Sequence, residues 1–470
     1  MRSLILIITL CLSTALLASG RLEFTIHKIE SGVEGPTVLV VGGIQGDEPG
    51  GFHAASMLVT HYRVTKGNVW VVPNLNFESI IERSRGVNGD MNRKFAHVRQ
   101  NDPDYRDVQR IKSLITDERV DFIFNMHDGS GFYREKHTDW LHSPRRWGQS
   151  IVIDQEVLAV DRYANVGELS RQAIAKVNQH LLDREHIYHV KNTKTREGNA
   201  EMAKTLTYFA INHGKAAVGL EASKTLSTAK RTYYHLNALE YFFEALGVEV
   251  ERDFALAPKV VAAKIEENIR VAFYQNKLLL DVANARSRIG FVPLQKGVDL
   301  QFKPSNPLIA VKKKGRGYRI NYGNRKVTYL QPQYFDYDNS IDSIPMEVDG
   351  VLRDVSLGSL VEVKERFQVS PETEGYRVNV IGWSRKGVRN EAGQEIRRGS
   401  IRRRYSIDKP GEMFRVEVYK DKRFSGMVLV KFSDESDTHQ AQTAQVPVEV
   451  LAQPGQVASL SGWGVDRILR

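Results

Sequence analysis

The sequence predicts an α/β domain with a mixed, mostly parallel sheet flanked by helices, followed by two small β-rich domains. From residue 22 to about residue 251, short apolar runs alternate with helical patterns. Several of these runs are too apolar to have a face in water, as expected of strands covered on both sides. After residue 252 the segments become short and alternating, bounded by Gly, Asn and Pro, which favours β-rich modules.

Five strands and five helices make up the predicted α/β domain. The strands are β-branched or aromatic runs at residues 24–29, 37–41, 69–72, 122–126 and 217–220. The helices are predicted at residues 51–60, 104–115, 166–182, 200–211 and 231–246. Ligands of such sheets bind at the carboxyl ends of the strands, so polar residues that follow a strand are the first candidates for a site.

The C-terminal part is predicted to contain two modules separated by a linker at residues 340–345. A helix-like stretch at 258–272 comes first. The predicted strands are residues 317–322, 326–330, 360–363, 376–381, 414–419 and 427–432, and the last four have the turn spacing of a sandwich. The predicted domains are an α/β domain at 21–251, a small β-rich domain at 252–342, a sandwich- or immunoglobulin-like domain at 343–450 and a tail at 451–470.

Residues 1–20 have the pattern of an export signal. Arg2 supplies a positive start, residues 4–17 form an apolar core, and Ala18-Ser19-Gly20 offers a small-residue cleavage site. The run is too short for a membrane span, and no second apolar stretch of about 18 residues follows it. These features predict a soluble exported protein, cleaved near Gly20 and without a membrane span.

Composition and charge exclude several kinds of chemistry. The chain of 470 residues has 66 Lys and Arg against 56 Asp and Glu, and this formal charge of +10 favours an anionic partner. The single cysteine, Cys11, lies inside the export signal, which removes disulfides, thiolate nucleophiles and cysteine-ligated metals from the mature chain. Export and the lack of an aromatic-interleaved RNA signature argue against nucleic acid as a partner.

Three residues that follow predicted strands are candidate metal ligands. The glycine-rich run after strand 37–41 contains Gln45 and Glu48, whose oxygens could converge on one ion as the chain enters a helix. A later strand delivers His127 at its carboxyl end, and histidine with oxygen ligands suits a catalytic zinc site. Taken singly, a Gln and Glu pair at this spacing is weak evidence, and a histidine at a strand end is often only hydrogen-bonded.

Glu221 is a candidate general base. It ends an apolar strand, where a carboxylate is costly to bury without a partner. Desolvation raises the pKa of such a group and a nearby cation lowers it, which suits a base for a metal-bound water. A salt-bridged glutamate at the edge of the sheet is an equally ordinary interpretation.

A cluster of donors lies between these motifs. Asn92 and Arg93 together form a fork suited to a bidentate carboxylate, and each charge-assisted bond contributes roughly 1.5 to 3 kcal/mol. Arg85 could polarise a carbonyl or stabilise an oxyanion. The alternative for such residues is a solvated basic turn.

The order of the motifs resembles that of the zinc carboxypeptidase family of the α/β type, whose His-x-x-Glu…His metal site is shared by desuccinylases and aspartoacylases. The motifs are, in order, Gln45-x-x-Glu48, Asp90-x-Asn92-Arg93, His127 and Glu221. The first histidine of the family is Gln45 here, and a neutral amide oxygen is a poorer zinc ligand than imidazole. A subgroup with the same Gln-Glu-His set, export and two added β modules is similar along the whole chain, namely the periplasmic DL-carboxypeptidases of helical Gram-negative bacteria.

The resemblance implies one Zn²⁺ ion held by Gln45, Glu48 and His127, with Glu221 as the base for its water. Arg85 would polarise the scissile carbonyl. The subgroup cleaves the bond between D-glutamate and meso-diaminopimelate in peptidoglycan muramyl tripeptide, leaves a dipeptide, and determines cell shape. The same function in the periplasm is therefore implied for this chain.

The resemblance also implies which residues contact the substrate. Asn92 and Arg93 would hold the C-terminal carboxylate and restrict attack to the last bond. Ser130, Trp147 and Thr207 are predicted to line the cleft, because they follow His127 or precede Glu221 on loops at the same sheet edge.

The segment 385–404 is strongly basic, with eight Arg or Lys residues against two Glu. It could contact anionic wall polymers or lipid headgroups, or it could be a solvated hairpin. The β modules are also candidates for binding other cell-wall or cell-shape proteins.

Two other functions stay open from the sequence. One is a deacylase of the desuccinylase kind acting on small N-acyl amino acids, which export argues against. The other is an inactive homologue that binds the wall after losing its metal. Gln45 is the residue that raises this second possibility.

Overall fold

The structure is a computed structural model that describes residues 16–17, 21–371 and 375–433. These residues form two compact units, one made of residues 21–267 and the other of residues 16–17 and 268–433. Apart from residues 16–17, the predicted export signal lies outside the described residues, as do residues 434–450 of the third predicted domain and the whole predicted tail at 451–470. The predicted boundaries after residues 251 and 342 stay predictions.

The helices and strands are numbered here in chain order. The strands up to residue 252 are β1 (Leu16–Leu17), β2 (His27–Glu30), β3 (Thr37–Val41), β4 (Tyr62–Lys66), β5 (Asn68–Val72), β6 (Val120–Gly129), β7 (Phe132–Tyr133), β8 (His142–Ser143), β9 (Ser150–Ile153), β10 (His189–Asn192), β11 (Ala216–Ser223) and β12 (Glu249–Arg252). The helices are α1 (Pro49–His61), α2 (Phe77–Ile81), α3 (Tyr105–Ile115), α4 (Val166–Val177), α5 (Leu206–Asn212), α6 (Thr228–Leu246) and α7 (Pro258–Ile265).

The second unit is made of strands. They are β13 (Arg270–Phe273), β14 (Leu278–Asp281), β15 (Arg288–Gln295), β16 (Gln301–Pro304), β17 (Ile309–Lys314), β18 (Gly317–Tyr322), β19 (Arg325–Phe335), β20 (Ser343–Val348), β21 (Val351–Ser356), β22 (Leu360–Val363), β23 (Arg366–Val369), β24 (Tyr376–Val380), β25 (Ile396–Arg397), β26 (Met413–Lys420) and β27 (Arg423–Phe432). They form four-stranded sheets in the orders β1-β16-β13-β14, β15-β19-β18-β17, β21-β20-β23-β25 and β22-β27-β26-β24.

A seven-stranded sheet in the order β10-β9-β11-β6-β3-β5-β2 is the centre of the first unit. Strands β5, β3, β6 and β11 run parallel, whereas β2 and β9 are antiparallel to their inner neighbours. Helices pack against this sheet, so the predicted mixed, mostly parallel fold is confirmed. The pairing also sets Glu221 directly beside His127 on neighbouring strands.

Aromatic packing holds α6 against the sheet. The ring of Phe242 lies 5.2 Å from that of Phe124 and 6.0 Å from that of Phe122, measured between centroids. All three side chains are fully buried. Burying a phenylalanine side chain stabilises a fold by about 1.5 to 3 kcal/mol, so this cluster is a major part of the core.

The glycine-rich turn after β3 and the start of α1 each need a glycine, because the chain passes close to other backbone at both places. A Cβ on Gly46 would lie 2.0 Å from the carbonyl carbon of Ser79 in α2, and one on Gly51 would lie 2.9 Å from the carbonyl oxygen of Met126 in β6. Any larger residue would push α2 or β6 away. The turn is therefore fitted between two elements, and its polar side chains are fixed in place.

Some predicted elements differ from the structure. The predicted helix 258–272 ends at Ile265, because residues 270–273 are an extended strand that pairs on both sides. The predicted linker 340–345 overlaps β20, where Ile344, Met346 and Val348 alternate into the core of the last module. Strands β4 and β12 pair with each other and were not predicted. Strand β4 buries only Tyr62 and Val64, and β12 is mostly exposed, so neither has a strong apolar pattern. No helix among the described residues has the length and hydropathy of a membrane span.

Phe242→Ala should lower the free energy of unfolding of the first unit by about 3 to 5 kcal/mol, because it removes a fully buried ring and leaves a cavity. Urea denaturation of the full chain would measure the change. Tyr241→Ala on the same helix is the control, since Tyr241 is half-buried and should cost under about 1 kcal/mol. Equal losses in the two variants would contradict this account of the core.

Candidate active site

The three predicted metal ligands meet at the carboxyl end of the sheet. Gln45 and Glu48 lie in the turn between β3 and α1, and His127 lies near the end of β6. The Nδ1 atom of His127 is 3.1 Å from Oε1 of Gln45 and 2.9 Å from Oε2 of Glu48. All three side chains are buried. An imidazole nitrogen, an amide oxygen and a carboxylate oxygen thus face one another.

Asp90 fixes the orientation of the Gln45 amide. The Nε2 group of Gln45 donates to both carboxylate oxygens of Asp90, each at 2.9 Å, so the amide oxygen must point towards His127. The backbone N–H of Asn92 and Nε of Arg85 donate to the same carboxylate, both at 3.0 Å. Burial would raise the pKa of Asp90, but the Gln45 hydrogen bond and the charges of Arg85 and Arg93 lower it. Asp90 is therefore a stable acceptor.

The carboxyl group of Glu48 contacts two cationic side chains and a backbone donor. Its Oε1 atom lies 3.4 Å from Nη1 of Arg85 and 3.3 Å from Nζ of Lys224. Its Oε2 atom accepts a hydrogen bond of 3.0 Å from the backbone N–H of Asp128. Lys224 is also paired with Asp47 at 2.7 Å. These contacts leave Oε2 facing His127.

Glu221 lies beside His127 with one oxygen unpaired. The side chain is buried, and its Oε2 atom has no hydrogen-bond partner among the described residues. The pKa of Glu221 is raised to about 8, mainly by burial; the charge of His127 opposes this, and the charges of Glu48 and Asp128 add to it. A carboxyl group in this state can exchange a proton near neutral pH.

The donor set fits a divalent cation. Two oxygens with lone pairs face a single imidazole nitrogen. An N–H proton on Nδ1 of His127 can satisfy both oxygens, and a divalent cation could take the place of that proton. Burial lowers the pKa of His127, but the hydrogen bond and charge of Glu48 and the charge of Glu221 outweigh it, so the pKa is raised. The site therefore attracts positive charge. Within the described part of the chain, no group of three His, Cys, Asp or Glu side chains is arranged for a metal, and here the third donor is an amide.

Asn92 and Arg93 both lie close to the site. Asn92 presents its Nδ2 atom 3.3 Å from Nε2 of His127, and its Oδ1 atom accepts from the backbone N–H of Leu206 at 3.0 Å. Arg93 donates to the carbonyl of Asn92 at 3.1 Å and lies 3.4 Å from the exposed carboxylate of Glu201. Arg93 thus keeps a half-exposed guanidinium at the rim, while Asn92 supports the histidine.

Trp147 lies next to Glu221, with Gly129 between them. A Cβ on Gly129 would lie 2.5 Å from Cβ of Trp147 and 2.7 Å from Oε2 of Glu221, so only glycine fits there. Ser130 is exposed, and its carbonyl accepts from the backbone N–H of Trp147 at 3.1 Å. The position of Trp147 beside the unpaired carboxylate is compatible with a cleft wall.

Thr207 is buried and its hydroxyl has internal partners. It lies 3.1 Å from the hydroxyl of Thr205 and hydrogen-bonds to the carboxyl of Asp154. The assignment of Thr207, Ser130 and Trp147 to substrate contacts stays a prediction.

Two residues that support the site, Asp128 and Lys224, were not predicted from the sequence. Asp128 accepts from the backbone N–H of Gly50 in the first turn of α1 and from Arg231, both at 2.7 Å, and lies 3.1 Å from Nε2 of His235. Its place next to His127 was a signal that could have found it. Lys224 could have been found by the same signal, because it follows Glu221 by three residues.

Lys191 is a further missed residue. Its buried ammonium donates to the carbonyl of Pro144 at 2.7 Å and lies over the rings of Tyr133 and Trp147, at 4.2 and 4.5 Å. Burial lowers its pKa to about 8. It fixes the loop that carries Trp147, and nothing in the local sequence indicated this role.

Comparison with known proteins identifies the family. Residues 1–266 match the model described as the catalytic domain of a carboxypeptidase controlling helical cell shape, and residues 337–433 match that of the C-terminal domain of metallo-carboxypeptidase. No curated protein sequence matches the chain.

Solved structures of the cell shape determinant protein Csd4 from Helicobacter pylori are similar along most of the chain. The apo form is 37% identical, with a TM-score of 0.79, and the match covers 87% of this chain and 100% of that one. The tripeptide-bound form gives the same values. The mDAP-bound form, described as a D,L-carboxypeptidase, is 37% identical with a TM-score of 0.79 and covers 86% of this chain and 100% of that one.

These matches favour a carboxypeptidase over a deacylase and agree with the converging side chains at the sheet edge. The chain belongs to the family of metallo-carboxypeptidases that control helical cell shape.

Proposed function

We propose that the protein is a periplasmic, zinc-dependent DL-carboxypeptidase that contributes to helical cell shape. It would hydrolyse the bond between D-glutamate and meso-diaminopimelate in peptidoglycan muramyl tripeptide and leave the dipeptide. The observation that carries the proposal is the convergence of Gln45, Glu48 and His127 beside the unpaired carboxylate of Glu221. The tripeptide-bound and mDAP-bound forms of Csd4 support the substrate, and the N-terminal sequence supports export.

Gln45, Glu48 and His127 would hold one zinc ion. When bound, zinc would lower the pKa of a water molecule and polarise a carbonyl oxygen. Asp90 keeps the amide oxygen of Gln45 facing inward, so the amide serves as a ligand despite being neutral.

Glu221 is the proposed proton carrier. It accepts the proton of the attacking water as the new C–O bond forms, and it returns that proton to the leaving amine when the C–N bond breaks. Burial raises the pKa of Glu221 and a bound cation would lower it, and the balance brings both directions of proton transfer within reach near neutral pH. Burial beside Gly129 and Trp147 keeps bulk water away from the carboxyl group.

Cationic side chains around the site suit an anionic substrate. The tripeptide carries carboxylates on its glutamate, its C-terminus and the diaminopimelate side chain. Arg93, at the rim, is proposed to bind the C-terminal carboxylate with Asn92, and Arg85 to orient the scissile carbonyl. Fixing the substrate at two points converts the reaction to a nearly unimolecular one, which can supply several kcal/mol of the barrier reduction.

The purified full chain should convert muramyl tripeptide into dipeptide and release diaminopimelate, as followed by mass spectrometry. Removing the metal with a chelator should abolish the release, and added zinc should restore it, with about one zinc per chain. Failure to cleave in the zinc-loaded state would favour an inactive homologue. Release of succinate or acetate from N-acyl amino acids would instead favour a deacylase.

Glu221→Gln should lower kcat by about 10²- to 10⁴-fold, because the glutamine cannot take the proton from water. Zinc content, measured by metal analysis, should stay near that of the wild type, since the three ligands are intact. Glu244→Gln is the control, because Glu244 is an exposed residue of α6 paired with Lys176. Normal turnover in Glu221→Gln would disprove its role as the base.

Asp90→Asn should weaken zinc affinity by about 10- to 100-fold, the range found when support of a metal ligand is lost. The new amide no longer offers two acceptor oxygens, so Gln45 is free to turn its NH₂ group inward. Competition with a chromophoric chelator would measure the affinity. Asp117→Asn, which removes only a carboxylate paired with Arg119, should leave it unchanged.

A further inference from the structure

A cavity of about 470 Å³ opens to the surface of the second unit. Strands β15 and β19 form one wall, strands β24 and β26 form another, and residues 404–407 complete the lining. This volume is in the range of small-molecule sites, roughly 300 to 1,000 Å³. The proposed carboxypeptidase reaction uses none of its residues.

The wall of the cavity carries a large excess of positive charge. The basic residues that line it are Arg286, Arg288, Arg377, Arg404 and Arg415. Among the described lining residues, Glu417 is the sole acidic one. Like charges gathered around one space repel each other, and an anion placed between them relieves the repulsion.

Two of these arginines are fixed by the backbone. Arg415 is 4% exposed and donates to the carbonyls of Gly290 and Phe291, both at 3.1 Å, and it pairs with Glu417 at 3.2 Å. Arg286 donates to the carbonyls of Arg403 and Ser406 at 3.0 Å. Their guanidinium groups therefore stay in the wall whether or not a ligand is present.

The other three arginines keep unused donors. The side chain of Arg288 makes no hydrogen bond or ion pair with a described residue and lies 5.6 Å from the centre of the Tyr329 ring. Among the described residues, the guanidinium of Arg377 donates only to the side chain of Asn379, and it lies over the Tyr419 ring. Within the described part of the chain, the guanidinium of Arg404 donates only to the hydroxyl of Tyr405, at 3.4 Å. A guanidinium has five N–H groups, so each offers a fork of free donors.

The edge of the cavity also presents aromatic rings. A bulge in β15 gives Phe291 a φ of 53°, in the left-handed region that a bulky residue rarely adopts, and leaves its side chain 68% exposed. Tyr405 is 39% exposed on the opposite segment. Backbone strain of this kind concentrates at binding sites. The same bulge turns two carbonyls towards Arg415 and a ring towards solvent.

We propose that this cavity is a second ligand site, which binds a short peptide carrying at least two carboxylates. Guanidinium forks match planar carboxylates in a bidentate way, and the exposed rings can cover the apolar parts of a peptide. The basic segment 385–404 identified in the sequence thus supplies one edge of a defined pocket, through Arg404. The site goes beyond the proposed reaction and does not depend on it.

Isothermal titration calorimetry of the full chain with muramyl tripeptide tests the proposal, with Glu221→Gln as the background to prevent turnover. We expect two tripeptides per chain. The added changes Arg288→Gln and Arg404→Gln should remove one of them, or weaken it by at least about tenfold, as expected for the loss of a bidentate contact. Arg353→Gln, on the exposed strand β21 of the same unit, is the matched control and should change nothing.

The count of sites separates this proposal from the proposed function. If the active-site assignment fails, the parent binds one tripeptide and the arginine variants bind none, which still supports the cavity. Arg288→Lys keeps the charge but loses the fork of donors, and it should weaken binding by an intermediate amount. This single variant tests the site if the double variant does not fold. Unchanged binding in all arginine variants, or binding of inorganic phosphate that the tripeptide does not displace, would overturn the proposal.

Discussion

The register between neighbouring parallel strands is the constraint on which the site depends. Strands β3, β6 and β11 end at the same edge of the sheet. The pairing of β11 with β6 places Glu221 directly beside His127. The turn after β3 then brings Gln45 and Glu48 to the same edge. Because side chains alternate along a strand, a shift of one residue would move Glu221 to the opposite face and separate the groups.

Much of this arrangement could be predicted from the sequence, because strand ends carry local signals. The apolar runs before Gln45, His127 and Glu221 predicted the strands, and parallel pairing implied that their ends meet. The function of Asp90 could not be deduced in this way, since its effect comes from a hydrogen bond to a residue 45 positions away. The role of Lys191 could not be deduced from the sequence either, because its ammonium group lies over two aromatic rings that only folding brings together.

The boundaries of elements were predicted less well than their existence. The helix starting at residue 258 was predicted too long because Ile265, Ile269 and Ala272 recur at helical spacing. The sheet pairing of residues 270–273 decides their conformation instead. The positive cavity of the second unit was also invisible in the sequence, because its arginines come from five separate positions between residues 286 and 415. Only Arg404 belonged to a basic run.

The single carboxylate of Asp128, near the end of β6, joins that strand to two helices. It binds the backbone of α1 at Gly50 and the side chains of Arg231 and His235 on α6, one residue away from His127. The proposed ligand atoms are thus held in place before an ion arrives, so capture of an ion would cost little conformational entropy. A neutral amide attracts an ion less than imidazole does and gains most from such preorganisation, so this rigid anchoring would allow Gln45 to act as the proposed ligand.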